Sequence, residues 1–214
     1  MIIDTHCHAG ENWFLPIESL EFEMNQAGVD AAVLIQHGGT YDNNYLFREA
    51  SKRHGRFKVV VMIDPDDSDP LGSMEKLCEQ GAAGIRIAPD GKFSHISNVI
   101  EIWHKAGELG LVVSSLGNDD KFSSASFKNI IDTCPDTQIV IEHLAGVGMN
   151  EPPYNAYKSA LECAQRPNTT IKIPGLGEIT PRPTTLRPEF GFENVPPLFE
   201  MAYEAFGPDR MMWG

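Results

Sequence analysis

The sequence predicts an α/β fold, and within that class a (β/α)8 (TIM) barrel. Seven short apolar runs recur through the 214 residues, and they start about 24 to 31 residues apart, the length of one strand and one helix. The runs are continuous rather than alternating, which is typical of parallel strands buried on both faces. A doubly wound open sheet is the alternative, but no GxGxxG or Walker motif follows the first run.

The predicted strands are short apolar segments that follow one another along the whole chain. In order they are Ile2–His6, Ala31–Gln36, Lys58–Ile63, Ala82–Ile87, Leu111–Leu116, Gln138–His143, Thr169–Ile173 and a last strand within Arg210–Gly214. No linker interrupts the series, so residues 1–214 are predicted to form one domain. A barrel normally continues into an eighth helix after the eighth strand, and we therefore expect this one to be incomplete at its C-terminus.

The segments between the strands show helical periodicity with start and stop signals. Pro16 takes a first helical position and Gly28 ends that helix. A second pattern begins at Ile96 and closes at Gly110. Another opens at Pro196-Pro197 and stops at Gly207-Pro208, so each of these segments predicts a helix that covers the sheet.

Composition excludes several classes of function. Lys plus Arg is 17 and Asp plus Glu is 30, for a net charge of −13. Such a chain is not expected to bind nucleic acid or an anionic membrane surface. No stretch of 18 apolar residues and no signal-peptide pattern is present, and the 4 scattered cysteines suit a reducing compartment. We expect a cytoplasmic protein that binds a small molecule, and leave open whether it forms a homo-oligomer.

Candidate site residues lie where the predicted strands end, because barrel enzymes carry their catalytic groups at that face. His6 and His8 are two positions apart on the first strand, so both rings face the lumen and are predicted to bind a metal, with zinc preferred. A chance pair is the alternative in a chain with 7 histidines. His143 ends the sixth strand and is the predicted catalytic residue.

Charged and polar residues in the other strands are candidates for substrate binding. Arg86 lies in an apolar strand and needs an anion, either a carboxylate of the protein or a substrate carboxylate. Ser115 at the end of the fifth strand is a second candidate. Glu142 precedes His143 and is expected to face the helices. The proline-rich segment Pro174–Val195 is expected to close over the site and to bring Arg182 to the substrate.

With these residues in view, the chain resembles the amidohydrolase superfamily, in particular its amidohydrolase-2 group, over nearly its whole length. The matching motifs are Asp4-Thr5-His6-Cys7-His8, Gly84-Ile85-Arg86, Ile141-Glu142-His143-Leu144-Ala145-Gly146, Ile171-Lys172-Ile173-Pro174-Gly175-Leu176 and Phe206-Gly207-Pro208-Asp209-Arg210-Met211-Met212-Trp213-Gly214. In the family the last motif continues into Ser-Asp, and that Asp is the catalytic base. The sequence stops one step before it, so the resemblance leaves the activity of this chain open.

The resemblance also bears on the metal and the reaction. Many members carry a histidine at the end of the fifth strand, where this chain has Ser114-Ser115. This resembles the lactonase branch, in which some enzymes are thought to work without a metal. We therefore expect weak or absent metal binding. The expected reaction is hydrolysis of a small carboxylated lactone, with His143 polarising the carbonyl. A metal-dependent decarboxylase and an inactive barrel that only binds a ligand are the alternatives.

Overall fold

Eight parallel strands pair in chain order and curl into a nearly closed barrel, which confirms the predicted fold. The computed structural model describes residues 1–181 and 195–214. Every strand begins and ends within two residues of its predicted bounds. The strands are β1 Ile3–Cys7, β2 Ala31–Ile35, β3 Phe57–Val61, β4 Ala82–Ile87, β5 Val112–Ser115, β6 Ile139–Ile141, β7 Thr169–Ile173 and β8 Met211–Trp213.

Helices connect the strands and cover the outside of the barrel. They are α1 Ile17–Ala27, α2 Asn44–Ser51, α3 Pro70–Glu79, α4 Ile100–Glu108, α5 Asp119–Ser123, α6 Ala125–Thr133, α8 Asn155–Leu161 and α9 Leu198–Phe206. The short segment α7, His143–Gly146, is a left-handed turn at the carboxyl end of β6. Within the described ranges, none of these helices has the length and apolar character needed to cross a bilayer.

The predicted helix boundaries agree with the structure for α1 and differ at the start of α4. Pro16 directly precedes α1, and Gly28 ends that helix with a left-handed φ of 70°. The start of α4 differs, because the helix begins at Ile100 rather than at Ile96. The Asn98 side chain accepts a hydrogen bond from the backbone N–H of Ile100, which fixes the start of the helix.

The register across the sheet decides which side chains face the lumen. Residues paired across parallel strands share a face, and faces alternate along each strand. Arg86 pairs with Ser114, and Ser114 pairs with Val140. The neighbouring row contains Ile87, Ser115 and Ile141, which are buried against the helices. Two adjacent positions on one strand therefore have opposite surroundings.

The two ends of the sheet meet between β8 and β1. The Thr5 hydroxyl donates a hydrogen bond of 2.6 Å to the carbonyl oxygen of Trp213. The backbone N–H of Gly214 donates to the carbonyl oxygen of Ile173 at 3.2 Å. These contacts hold the carboxyl end of β8 beside β1, so the histidines of β1 lie next to the last strands of the barrel.

Candidate active site

Four of the sequence-predicted site residues converge at the carboxyl ends of the strands. The centroid of the His6 ring lies 4.9 Å from that of His8 and 4.4 Å from that of His143. Arg86 reaches the same place from β4, since its guanidinium contacts Glu142, the residue before His143. The predicted meeting of these four side chains at one mouth is therefore present.

Arg86 is paired with a carboxylate of the protein. Its Nη2 donates to Oε2 of Glu142 at 2.7 Å, and its Nε donates to Oε1 at 3.0 Å. Its Nη1 donates to the carbonyl oxygen of Gln36 at 3.1 Å. Of the two anions that the sequence left open for Arg86, the structure contains the internal one. A substrate could contact Arg86 only through the remaining hydrogens of Nη1 and Nη2.

Glu142 faces the lumen, and the expectation that it faces the helices is wrong. The side chain continues the lumenal row of Val140, two positions earlier on the same strand. Besides Arg86, the carboxylate accepts a bond of 2.7 Å from the Ser114 hydroxyl. Burial alone would raise the pKa of Glu142, but the hydrogen bonds and charge of Arg86 outweigh burial and hold it below its usual value.

Ser115 lies outside this group of side chains. Its hydroxyl donates to the carbonyl oxygen of Ile87 at 3.1 Å, and none of its surface is exposed. It belongs to the row that faces the helices, so the structure does not place it where a substrate could touch it. Ser114, one position earlier, is the serine that reaches the lumen.

Lys172 on β7 is a member of the site that the sequence reasoning left without a role. Its ammonium donates to the carbonyl oxygen of Thr5 at 2.7 Å and lies 3.2 Å from Nδ1 of His6. Burial lowers its pKa to about 8, so the group remains mostly charged at neutral pH. The sequence feature that could identify Lys172 is a charged residue inside an apolar strand, which is also the feature that identified Arg86.

The hydrogen bonds assign the protons on the two β1 histidines. An ammonium offers no acceptor, so Nδ1 of His6 accepts from Lys172 and the His6 proton lies on Nε2. Nδ1 of His8 must donate to the carbonyl oxygen of Ile35 at 2.7 Å, which leaves Nε2 of His8 as an acceptor. The two Nε2 atoms are 3.2 Å apart, so His6 donates to His8.

The three histidines are neutral at physiological pH. Burial and the Lys172 charge hold the pKa of His6 far below its ordinary value. Burial lowers the pKa of His8 to about 4 and also lowers the pKa of His143. Neutral imidazoles can donate or accept hydrogen bonds and can bind a metal ion.

A divalent metal ion has a donor set at this mouth. His6, Glu142 and His143 each place one ligand atom within 4.8 Å of the others. Nδ1 of His143 is buried without a hydrogen-bond partner among residues 1–181 and 195–214, as a vacant ligand atom would be. Two imidazoles and a carboxylate are donors that catalytic zinc takes. The residues therefore fit a divalent ion, with Glu142 and His143 beside His6. The predicted ligand His8 places its Nε2 3.2 Å from that of His6, and its role as a ligand stays a prediction.

The same site opposes strong metal binding. Both oxygens of Glu142 already accept charge-assisted hydrogen bonds from Arg86. The ammonium of Lys172 stands 3.2 Å from the ring of His6. A divalent cation would compete with Arg86 for the Glu142 carboxylate, and the charges of both Arg86 and Lys172 would repel it. These contacts favour the predicted weak affinity, which stays a prediction.

Two further predictions concern the rim of the mouth. Arg182, the third predicted substrate-binding residue, lies outside the described residues, as does most of the expected closing segment. The described part of that segment includes Glu178, whose charge opposes the lowering of the His143 pKa by burial. In the loop after β1, Phe14 stacks on His8 with 4.5 Å between ring centroids, and Trp13 packs edge-to-face against His37.

Comparison with known structures supports the fold assignment. A Pseudomonas putida protein described as a 2-pyrone-4,6-dicarboxylic acid hydrolase is 18% identical, with a TM-score of 0.76 over 99% of this chain and 81% of that one. A probable 2-pyrone-4,6-dicarboxylic acid hydrolase from Acinetobacter baumannii, with citric acid bound, is 16% identical, with a TM-score of 0.72 over 100% and 82%. An amidohydrolase from Burkholderia multivorans with bound zinc is 17% identical, with a TM-score of 0.79 over 100% and 83%.

A family model assigns the chain more specifically than these distant structures do. No curated protein matches the sequence. The family model described as amidohydrolase (Amidohydro_2) matches residues 3–214, which include every strand of the barrel. The matched region also includes the site residues from His6 to Lys172. The chain therefore belongs to the amidohydrolase family, and this membership assigns it to the hydrolase-type enzymes.

Proposed function

We propose that the protein hydrolyses a small carboxylated lactone at the mouth formed by His6, His8, Arg86, Glu142 and His143. Water adds to the lactone carbonyl carbon and the ring carbon–oxygen bond breaks, so the product carries a new carboxylic acid and a new hydroxyl group. Two of the similar structures are described as hydrolases of a dicarboxylated pyrone, which is a cyclic ester. Their description gives the proposal its substrate class.

One observation carries the proposal. Nδ1 of His143 is buried and has no hydrogen-bond partner among the described residues, although burial of an unpaired polar atom is unfavourable. A substrate oxygen would provide the missing partner. Because the ring is neutral, a proton on Nδ1 would donate to the carbonyl oxygen and stabilise the negative charge that develops there.

The charges of the lumen support an anionic substrate. Arg86 and Lys172 carry positive charge, and Glu142 is the carboxylate that contacts Arg86. Among the buried charges of the lumen, two positive groups therefore face one carboxylate, while Glu178, whose charge also acts on His143, is exposed at the rim. This buried excess occurs in a chain whose net charge is −13. A buried positive excess attracts a small anion and repels cations. Arg86 can offer its remaining hydrogens to a substrate carboxylate while Glu142 holds the guanidinium in place.

A divalent ion held by His6, Glu142 and His143 would polarise the carbonyl and lower the pKa of a bound water. The metal content is tested by elemental analysis of the dialysed protein and of His6→Ala. We expect well under one zinc per chain. Near-stoichiometric zinc that is lost in His6→Ala would contradict the expected weak binding and would favour a metallohydrolase or decarboxylase.

The function is tested with a panel of carboxylated lactones and unsaturated carboxylic acids. Ring opening releases acid and is followed with a pH indicator in weak buffer, while carbon dioxide release is measured in parallel. The proposal expects acid release from at least one carboxylated lactone and none from its decarboxylated analogue. Carbon dioxide release without ring opening would identify a decarboxylase, and ligand binding without turnover would identify a barrel that only binds; both would overturn the proposal.

A further inference from the structure

The chain turns in an unusual way directly after β6. His143, Leu144 and Ala145 have φ values of 47°, 50° and 55°, and Gly146 follows at 61°. Each L-residue in the left-handed region is disfavoured by about 1–2 kcal/mol, and such residues normally occur singly. Three in succession persist only where the surroundings hold them, and such outliers cluster at functional sites.

The left-handed turn determines where His143 points. Strand alternation places Val140 and Glu142 on the lumenal face and would send His143 toward the helices. The structure instead places the His143 ring 4.4 Å from the His6 ring, on the same side as Glu142. The reversal of φ at His143 therefore lets two consecutive residues direct their side chains into one site.

Buried apolar side chains hold the turn in place. Leu144, Ala145 and Val147 are each at most 1% exposed. Their burial offsets part of the unfavourable backbone conformation, because each is removed from water. The site residue His143 is thereby attached to a segment that cannot move without exposing apolar surface.

A backbone contact closes the turn. Gly146 lies against the loop that follows β5, and a Cβ at this position would overlap the carbonyl oxygen of Gly117 and lie 2.9 Å from Cα of Asn118. The obstacle is backbone, so it cannot rotate away as a side chain would. Gly117 is itself closely packed, because a Cβ there would lie 3.1 Å from the Phe122 ring and 3.3 Å from Cδ of Pro89.

We propose that Gly146 is a positioning residue for His143. Its missing side chain lets the β5 and β6 loops touch, and this contact locks the left-handed turn that brings the His143 ring to His6. The catalytic consequence rests on the proposed function, whereas the position of the ring does not. A side chain at Gly146 would push the turn away from Gly117 and withdraw Nδ1 of His143 from the mouth.

Gly148 provides a matched control. It is also left-handed, with φ of 58°, but a Cβ there would meet nothing closer than the carbonyl oxygen of Gly146 at 4.0 Å. Gly146→Ala and Gly148→Ala therefore introduce the same backbone strain. Only Gly146→Ala breaks the contact between the two loops, so the difference between the variants measures that contact.

The test is a two-dimensional 1H–15N spectrum of the imidazole rings, with the His143 signal assigned by its loss in His143→Ala. We expect Gly146→Ala to shift the His143 ring resonances and Gly148→Ala to leave them in place. With an active substrate, kcat should fall by about tenfold or more in Gly146→Ala with little change in KM, since a small misplacement of a catalytic group has effects of this size. Unchanged His143 resonances in Gly146→Ala, or equal shifts in both variants, would overturn the proposal.

The double variant Ala145→Gly/Gly146→Ala keeps the inference testable if Gly146→Ala does not fold. Glycine at position 145 adopts the left-handed φ without strain, which offsets the strain added at position 146, while the new Cβ still meets the Gly117 backbone. We expect the His143 signal to shift relative to Ala145→Gly alone, and an unchanged signal would contradict the proposal. If no lactone is hydrolysed, the proposed function fails while the spectra still decide the role of Gly146.

Discussion

Two buried glutamates in this protein have very different surroundings. Glu49, on α2, accepts hydrogen bonds from Arg48, Lys52 and Arg53 at 2.8–2.9 Å. Arg53 continues to Glu21 on α1 at 2.6 Å. In this α1–α2 ion-pair cluster, both oxygens of the buried carboxylate are matched by cations of the protein.

Glu142 belongs to a second group of buried charged side chains, the lumen group of Arg86, Glu142, His143 and Lys172, in which some polar atoms lack partners. Arg86 and Ser114 satisfy its carboxylate, but Nδ1 of the adjacent His143 has no partner in the described residues. Lys172 adds a second cation for which no carboxylate lies within salt-bridge distance in those residues. The comparison shows how a structural ion-pair cluster differs from a candidate active site. The first satisfies its own polar atoms, whereas the second leaves a buried polar atom and a positive charge for a ligand.

The largest expected effect is the loss of the Glu142 charge. Glu142→Gln would leave Arg86 and Lys172 in the lumen without a compensating carboxylate. Removal of one partner from a buried ion pair destabilises a protein by about 3–5 kcal/mol. Urea denaturation of the variant and the wild type measures this difference. A loss below about 1 kcal/mol, the range of exposed pairs, would show that the lumen charges are solvated.

A smaller effect is expected at the α1–α2 ion-pair cluster. Glu49→Gln removes charge-assisted hydrogen bonds worth about 1.5–3 kcal/mol, but its cations lie nearer to solvent and can rehydrate. Stability should fall by less than in Glu142→Gln, and hydrolysis of an active lactone should be unchanged. Equal loss of activity in both variants would remove the distinction between the two regions.

The smallest expected effect is the pH dependence of stability near neutral pH. Below neutrality, the lumen histidines and Glu49 of the α1–α2 ion-pair cluster should lose their contributions over different pH ranges. The buried histidines bind protons more readily when unfolded, so stability falls as the pH drops below the ordinary histidine pKa of about 6.5. For His8 the loss continues until its folded pKa of about 4. Hydrogen bonds from Lys52 and Arg48 lower the pKa of Glu49 to about 2, so its contribution is lost only from about pH 4.5 downward.

This separation can be measured by urea denaturation between pH 7 and pH 3. From pH 7 to pH 6, each buried histidine should contribute less than about 1 kcal/mol. His8→Gln should reduce the loss between pH 6.5 and pH 4, while Glu49→Gln should reduce the loss below pH 4.5. Identical profiles for the two variants would contradict the assigned pKa shifts.

The sequence predicted the fold and the location of the site better than the contacts within it. Continuous apolar runs such as Val59-Val60-Val61 indicate buried parallel strands without knowledge of tertiary contacts. His6 and His8 were placed correctly because strand alternation fixes their common face. The histidine at the end of β6 was also found, since strand ends form the mouth of such a barrel.

The errors come from features that depend on distant parts of the chain. Glu142 was assigned to the wrong face because a lumenal His143 was taken to exclude a lumenal neighbour, and the left-handed turn removes that restriction. Ser115 was preferred to Ser114 although the register with Arg86 selects Ser114. For Lys172 the apolar strand around a charged residue marks it as a candidate, but its partner atoms on β1 are distant in sequence and cannot be read from that pattern. Local patterns carry no information about such long-range contacts.

The central claim is that His143, in the incomplete lumen group, acts on the substrate. The most direct measurement is kcat/KM of His143→Ala and of Glu49→Gln on one carboxylated lactone, with thermal unfolding as a control for folding. We expect His143→Ala to lose about 10²–10³ in kcat/KM, as removal of an oxyanion donor does, while Glu49→Gln retains the wild-type value. A folded His143→Ala variant with activity within about twofold of the wild type, where an oxyanion donor is worth far more, would contradict the account.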